Sequence, residues 1–101
     1  MKYEKWEVWL ANVRFEDISG TKKRPVLILD KKHGIAVSLK MTTHQPRNAS
    51  EYALRDWAKV GLRRVTTVRT GKVLHLQNTD FIQKIGRLSD YDILQIQTII
   101  T

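Results

Sequence analysis

The chain contains no cysteine. Disulfides, thiol nucleophiles and thiolate zinc sites are therefore excluded, and the absence fits a cytoplasmic protein. No apolar run reaches the roughly 18–20 residues that a membrane-spanning helix needs. The opening stretch, Met1-Lys2-Tyr3-Glu4-Lys5-Trp6-Glu7, has no hydrophobic segment of the secretory kind. Negative charge is scarce, with 10 acidic residues against 18 Lys and Arg. The carboxylates are scattered, without His-Glu-x-x-His or Asp-x-Asp spacing, so no metal site is expected. A glycine-rich phosphate loop ending in Gly-Lys-Ser/Thr is missing, and so is a nucleophile elbow. Internal repeats, linkers and low-complexity segments are missing too.

What is present is a chain of 101 residues, 42% hydrophobic, with a formal net charge of +8. That length predicts one domain, residues 1–101, with a modest core that dimerisation would help. The charge points to a polyanionic partner, either nucleic acid or an acidic protein segment; plain solubility is the competing explanation.

The chain is organised around Thr21-Lys22-Lys23-Arg24-Pro25-Val26-Leu27-Ile28-Leu29-Asp30. Four aliphatic residues in a row predict a strand, 26–29, buried on both faces. Pro25 suits its first position, where a missing N–H costs least. The cations then stand at the mouth of a rigid strand, where preorganised charge could hold a phosphate. The bland alternative is a solubilising basic loop. Residues 6–15 are apolar on both alternating faces and predict a long buried strand, followed by a loop over 16–23. A turn over 30–34 contains Gly34, which readily takes the positive φ of a tight hairpin. Residues 35–43 alternate: Ile35, Val37, Leu39 and Met41 share one face; Ala36, Ser38, Lys40 and Thr42 share the other, and His44 continues it.

Further on, 51–54 suggests a short strand, 55–62 is ambiguous, and 65–76 is β-rich with a break at Gly71. Residues 78–85 suggest a short helical turn capped by Asn78 or Thr79. Period 3.6 returns at the end, where Ser89-Asp90-Tyr91-Asp92 resembles a capping box with Asp in place of Glu. Ile93, Ile96 and Ile100 form a stripe, so a helix is predicted over 89–100. Strands followed by a helix suggest a small antiparallel barrel with helical additions.

Of the three histidines, His44 is the candidate acid or base, because it would share a face with Thr42. His33 in a turn and His75 among apolar neighbours read as structural. The cations cluster as Lys22-Lys23-Arg24, Lys31-Lys32, Arg63-Arg64, and Arg69 with Lys72. Tyr52 and Trp57 lie between the second and third clusters, as befits single-stranded nucleic acid, whose bases stack and whose phosphates pair. Equally, both aromatics could be core residues.

Several segments, in order, resemble the PemK/MazF family of toxins from toxin–antitoxin pairs. They are Glu7-Val8-Trp9-Leu10-Ala11, the Arg24-Pro25 segment with its aliphatic strand, Met41-Thr42-Thr43, residues 61–69 and residues 81–89. The resemblance implies a mainly β, SH3-like antiparallel barrel with a C-terminal α-helix, paired into a homodimer. It implies a sequence-specific endoribonuclease that needs no metal or other cofactor. Single-stranded RNA would be cut by attack of the 2′-oxygen, leaving 2′,3′-cyclic phosphate and 5′-hydroxyl ends. By position, Arg24 would stabilise charge on the phosphate, and Thr42 would hydrogen-bond a phosphate oxygen. Lys22, Lys23, Thr43, Arg63, Arg64 and Arg69 would contact RNA, and a cognate antitoxin would block the groove. In some members, of the Kid type, an arginine is followed two residues later by a catalytic aspartate; Arg69 matches the arginine, but Gly71 stands at the aspartate. His44 could fill that gap. The rival readings are a CcdB-like toxin that acts by binding a protein such as DNA gyrase, and an inactive RNA-binding relative.

Overall fold

The computed structural model describes residues 2–14 and 20–101. Six strands dominate: β1 (Glu7–Arg14), β2 (Thr21–Lys32), β3 (Ile35–Thr42), β4 (Glu51–Ala53), β5 (Thr67–Gln77) and β6 (Phe81–Arg87). They form one antiparallel sheet in the order β4-β5-β3-β2-β1-β6. A short helix, α1 (Trp57–Val60), lies between β4 and β5, and α2 (Asp90–Ile100) closes the described chain. This is the small antiparallel β architecture with a C-terminal helix that the sequence predicts.

The aliphatic run of β2 explains how the sheet is covered. Leu27 joins a cluster with Val8, Leu39, Val68 and Ile96, while Val26 and Ile28 join another with Trp9, Ala11, Ala36 and Phe81. All three β2 residues are fully buried, so the strand is covered on both faces as expected. Each such side chain contributes about 1.5–3 kcal/mol through burial. Ile93 and Ile96 of α2 seal the first cluster. Between β2 and β3, the pairing of Lys32 with Ile35 leaves a two-residue turn, His33-Gly34, with both φ positive at 51° and 79°. That is the mirror-image turn whose twist matches a hairpin.

Several expectations change. Lys22, Lys23 and Arg24 lie within β2 rather than in a loop before it, because β1 is long enough to pair with them: Val13 with Lys22, Asn12 with Lys23 and Ala11 with Arg24. The rest of the predicted loop, residues 16–19, and Phe15 of the predicted first strand lie outside the described residues. Pro25 is accordingly internal to β2, yet pairing with β3 starts only at Val26, so no β3 ladder bond is lost. The face of β3 read as polar is partly core, with Ala36 and Ser38 fully buried; Lys40 and Thr42, nearer the strand end, are half-buried. Only Asn78–Asp80 forms a helical turn, capped by Gln77. Residues from Phe81 onward instead take the free edge of β1 as β6. Ser89 caps α2 as predicted, accepting a bond from the Asp92 N–H at 3.2 Å. The Asp92 carboxylate, however, turns inward. It accepts from the Tyr52 hydroxyl at 2.6 Å and from the Arg55 and Asp56 amides at 3.0 and 2.9 Å.

Candidate functional site

The site forms where the basic end of β2 meets its neighbours. Leu10 of β1 pairs with Pro25 on one side and Gln83 on the other. Two residues beyond the last β2–β3 pair, Val26 with Lys40, stand Arg24 and Thr42. A roof comes from the segment after α1. That helix presses so closely on β6 that a Cβ on Gly86 would lie 1.9 Å from the Val60 carbonyl oxygen. Gly61 ends it in the left-handed conformation, φ 111°, as helix termini often require. The chain thereby turns Leu62, Arg63 and Arg64 over the strand ends.

Between floor and roof lies an open cleft of about 860 Å³. Leu10, Pro25, Met41, Leu62 and Ile85 give it an apolar middle, and Lys23, Arg24, Arg63, Arg64 and Lys84 give it basic margins. Thr42, Thr43 and His44 complete the β3 side. A second cavity of about 220 Å³ adjoins it, lined by Lys40 and Arg69 among others. Arg24, Thr42 and His44 border both cavities.

Most of the side chains singled out in the sequence therefore converge. Lys23, Arg24, Thr42, Thr43, His44, Arg63 and Arg64 share the cleft. Arg69 lines only the second cavity, where its Nε donates to Glu51 at 2.8 Å. Lys22 lines neither. His75, exposed on β5, and His33 lie outside both. Tyr52 and Trp57 pack against the first core cluster, so the core reading of these aromatics holds and the stacking reading does not.

Electrostatics preorganise the margins. Thr42 Oγ1 accepts from the His44 N–H at 3.3 Å, and the His44 carbonyl accepts from the Thr67 hydroxyl at 2.6 Å. These bonds fix the chain on either side of Thr43. The Glu51 carboxyl is held below its ordinary value by the Arg47 N–H first and the Arg69 guanidinium next. At the opposite margin, Lys84 pairs with buried Glu7 at 2.8 Å. Burial pushes the Glu7 carboxyl up, but bonds from Lys84, the Trp9 indole and the Glu4 N–H outweigh it and leave the group below its ordinary value. Lys40, Gln83 and Lys84 were not singled out from the sequence. The exposed Gln83 and Lys84 fell in a segment read as helical, and Lys40 carried no signal beyond its place on a polar face.

A sequence profile described as the PemK-like, MazF-like toxin of type II toxin–antitoxin systems matches residues 4–101. The chain belongs to this family. Two solved structures resemble this PemK-like toxin in fold. One is described as an endoribonuclease in complex with its cognate antitoxin from mycobacterial species. It is 15% identical, with a TM-score of 0.74 over 98% of this chain and 91% of that one. The other, Mycobacterium tuberculosis toxin MazF-mt6, is 22% identical, with a TM-score of 0.74 over 93% of this chain and 91% of that one. No curated protein matches the toxin by sequence. Among the described residues, no helix is long and apolar enough to cross a membrane. Among the described residues, no carboxylate lines either cavity of the toxin, and His44 is the only imidazole there.

Proposed function

We propose that this toxin is a sequence-specific endoribonuclease that cuts single-stranded RNA in the cleft without a metal. The observation that carries the reading is the convergence of Arg24, Thr42 and His44 on the margin shared by the two cavities. Cleavage by a neighbouring 2′-hydroxyl needs a proton taken from that hydroxyl, charge stabilised on the phosphorane-like transition state and a proton returned to the 5′-oxygen. The Arg24 guanidinium suits the middle task, because it forks onto phosphate oxygens and stays charged. The Thr42 hydroxyl donates to a phosphate oxygen. The imidazole of His44 takes or returns the proton, since imidazole exchanges protons near neutral pH. Products are a 2′,3′-cyclic phosphate and a 5′-hydroxyl.

The remaining parts of the proposal rest on charge for the RNA path and the antitoxin, and on the family resemblance for pairing and location. Lys23, Thr43, Arg63 and Arg64 line the RNA path, with Lys22 and Arg69 extending it. A cognate antitoxin occupies the same cleft with an acidic segment. Two copies pair to lengthen the groove, and the toxin works in the cytoplasm, where message is found.

The deciding experiment is digestion of a long single-stranded RNA in excess EDTA, with Arg24→Ala in parallel. Cuts at a recurring short motif, cyclic-phosphate ends and a rate lowered roughly 100- to 1,000-fold in the variant are expected. RNA that is bound but left whole would favour a toxin acting by binding alone. For His44, the acid and base limbs of the rate profile should change in His44→Ala; an unaltered profile removes it from proton transfer.

A further inference from the structure

Two kinds of surface make up most of the cleft lining, and both can hold RNA of any sequence. The cleft's cations attract any phosphate, and its apolar middle, formed by Leu10, Met41, Leu62 and Ile85, accepts any base face. Base identity is read by side chains that present hydrogen-bond donors and acceptors side by side to a base edge. Among the described residues, Gln83 is the only side-chain amide lining the cleft. It is exposed, and its amide makes no hydrogen bond among the described residues. Thr66, by contrast, spends its hydroxyl on the Arg64 carbonyl at 2.9 Å.

Gln83 also stands on a fixed backbone. It pairs with Leu10, which pairs with Pro25, so the amide, an apolar floor residue and the Arg24 strand lie in one line across the sheet. Its neighbour Lys84 is clamped by the buried Glu7 carboxylate. A strand whose phosphates follow the basic margins turns its bases toward this line.

We infer that Gln83 is a specificity-determining residue, hydrogen-bonding the edge of one base of the RNA next to the cut. This rests on the endoribonuclease reading above. The amide offers one donor and one acceptor at the spacing of a base edge. Changing it therefore alters preference at one position of the cleaved motif and leaves the other positions alone.

The test is to map cut sites on one long RNA for wild type, Gln83→Leu and Gln83→Asn, together with melting temperatures. Loss of the amide should change relative cleavage among sites differing at a single base position by roughly 5- to 100-fold, the range of one good base contact. Asn withdraws the amide by one methylene and should shift preference at the same position. Melting temperatures should not move, because the side chain is exposed. The inference is overturned if both variants keep the wild-type order of sites, or if cleavage falls equally at every site. A wild type that cuts no RNA would instead remove the endoribonuclease reading itself.

Discussion

Asp92 shows how one residue can carry more than its local role suggests. Its N–H is held by the capping Ser89 in the first turn of α2, while its carboxylate, fully buried, satisfies the Tyr52 hydroxyl and the amides of Arg55 and Asp56. The Tyr52 phenol is pushed well above its ordinary value by burial and by the bond to Asp92. Asp92→Ala would strand those donors at about 1–3 kcal/mol each, with partial relaxation. A loss of about 3–5 kcal/mol in urea unfolding is expected. Asp92→Asn should recover only part of it, since one amide face donates where an acceptor is needed. The sequence disclosed the cap but not the inward turn, because the partners lie 36–40 residues away. Arg24 and Thr42 were singled out through the family resemblance, and the apolar pattern beside each placed them by strands that pair as neighbours. Gln83 and Lys84 had no such frame.

The same scale governs acid stability. Glu7 and Glu51 both have folded values below the ordinary 4.5. A lowered folded value means that protonation is harder in the native state. The contribution is therefore complete above the ordinary value and disappears as pH falls through the folded one. Urea midpoints should be flat from pH 7 to about 5 and drop steeply below about 4. In Glu7→Gln the acid-side drop should shrink, while the midpoint at pH 7 falls.

At the scale of elements, the contact between α1 and β6 sets the cleft roof. Gly86→Ala places a methyl against the Val60 carbonyl, which is backbone and cannot swing aside. Lower melting temperature and weaker RNA binding should appear together. Leu27→Ala, deep in the first core, should cost about 2–5 kcal/mol with less effect on affinity per unit of stability lost. The elements differ in how openly the sequence announced them. The terminal helix was plain, since a capping serine and a 3.6-residue stripe agree. The sixth strand was not, because two register shifts against β1 break its alternation. Helix α1 has only four residues, too few to show a period.

For the whole molecule, charge is the governing quantity. A net charge of +8 with five cations on one cleft predicts affinity for RNA that falls linearly on a log–log plot against salt. Each phosphate contact adds about 0.7 to the slope for single strands. Arg63→Ala combined with Arg64→Ala should therefore flatten it by about 1.4. A slope equal to wild type would place both side chains outside the RNA path.

The pairing of β1 with β6 sets a timetable for the molecule. Glu7 meets Arg87, and Leu10 meets Gln83, so the cleft floor joins strands far apart in sequence. Closing so long a loop is slow relative to the local hairpin of β2 and β3. During synthesis, which proceeds from the N-terminus, the hairpin can form early. The floor cannot form until β6 has left the ribosome. A nascent or truncated chain lacking β6 thus carries Arg24 and Thr42 without the cleft that they line in the folded chain. The cleft is complete only once the sixth strand has docked.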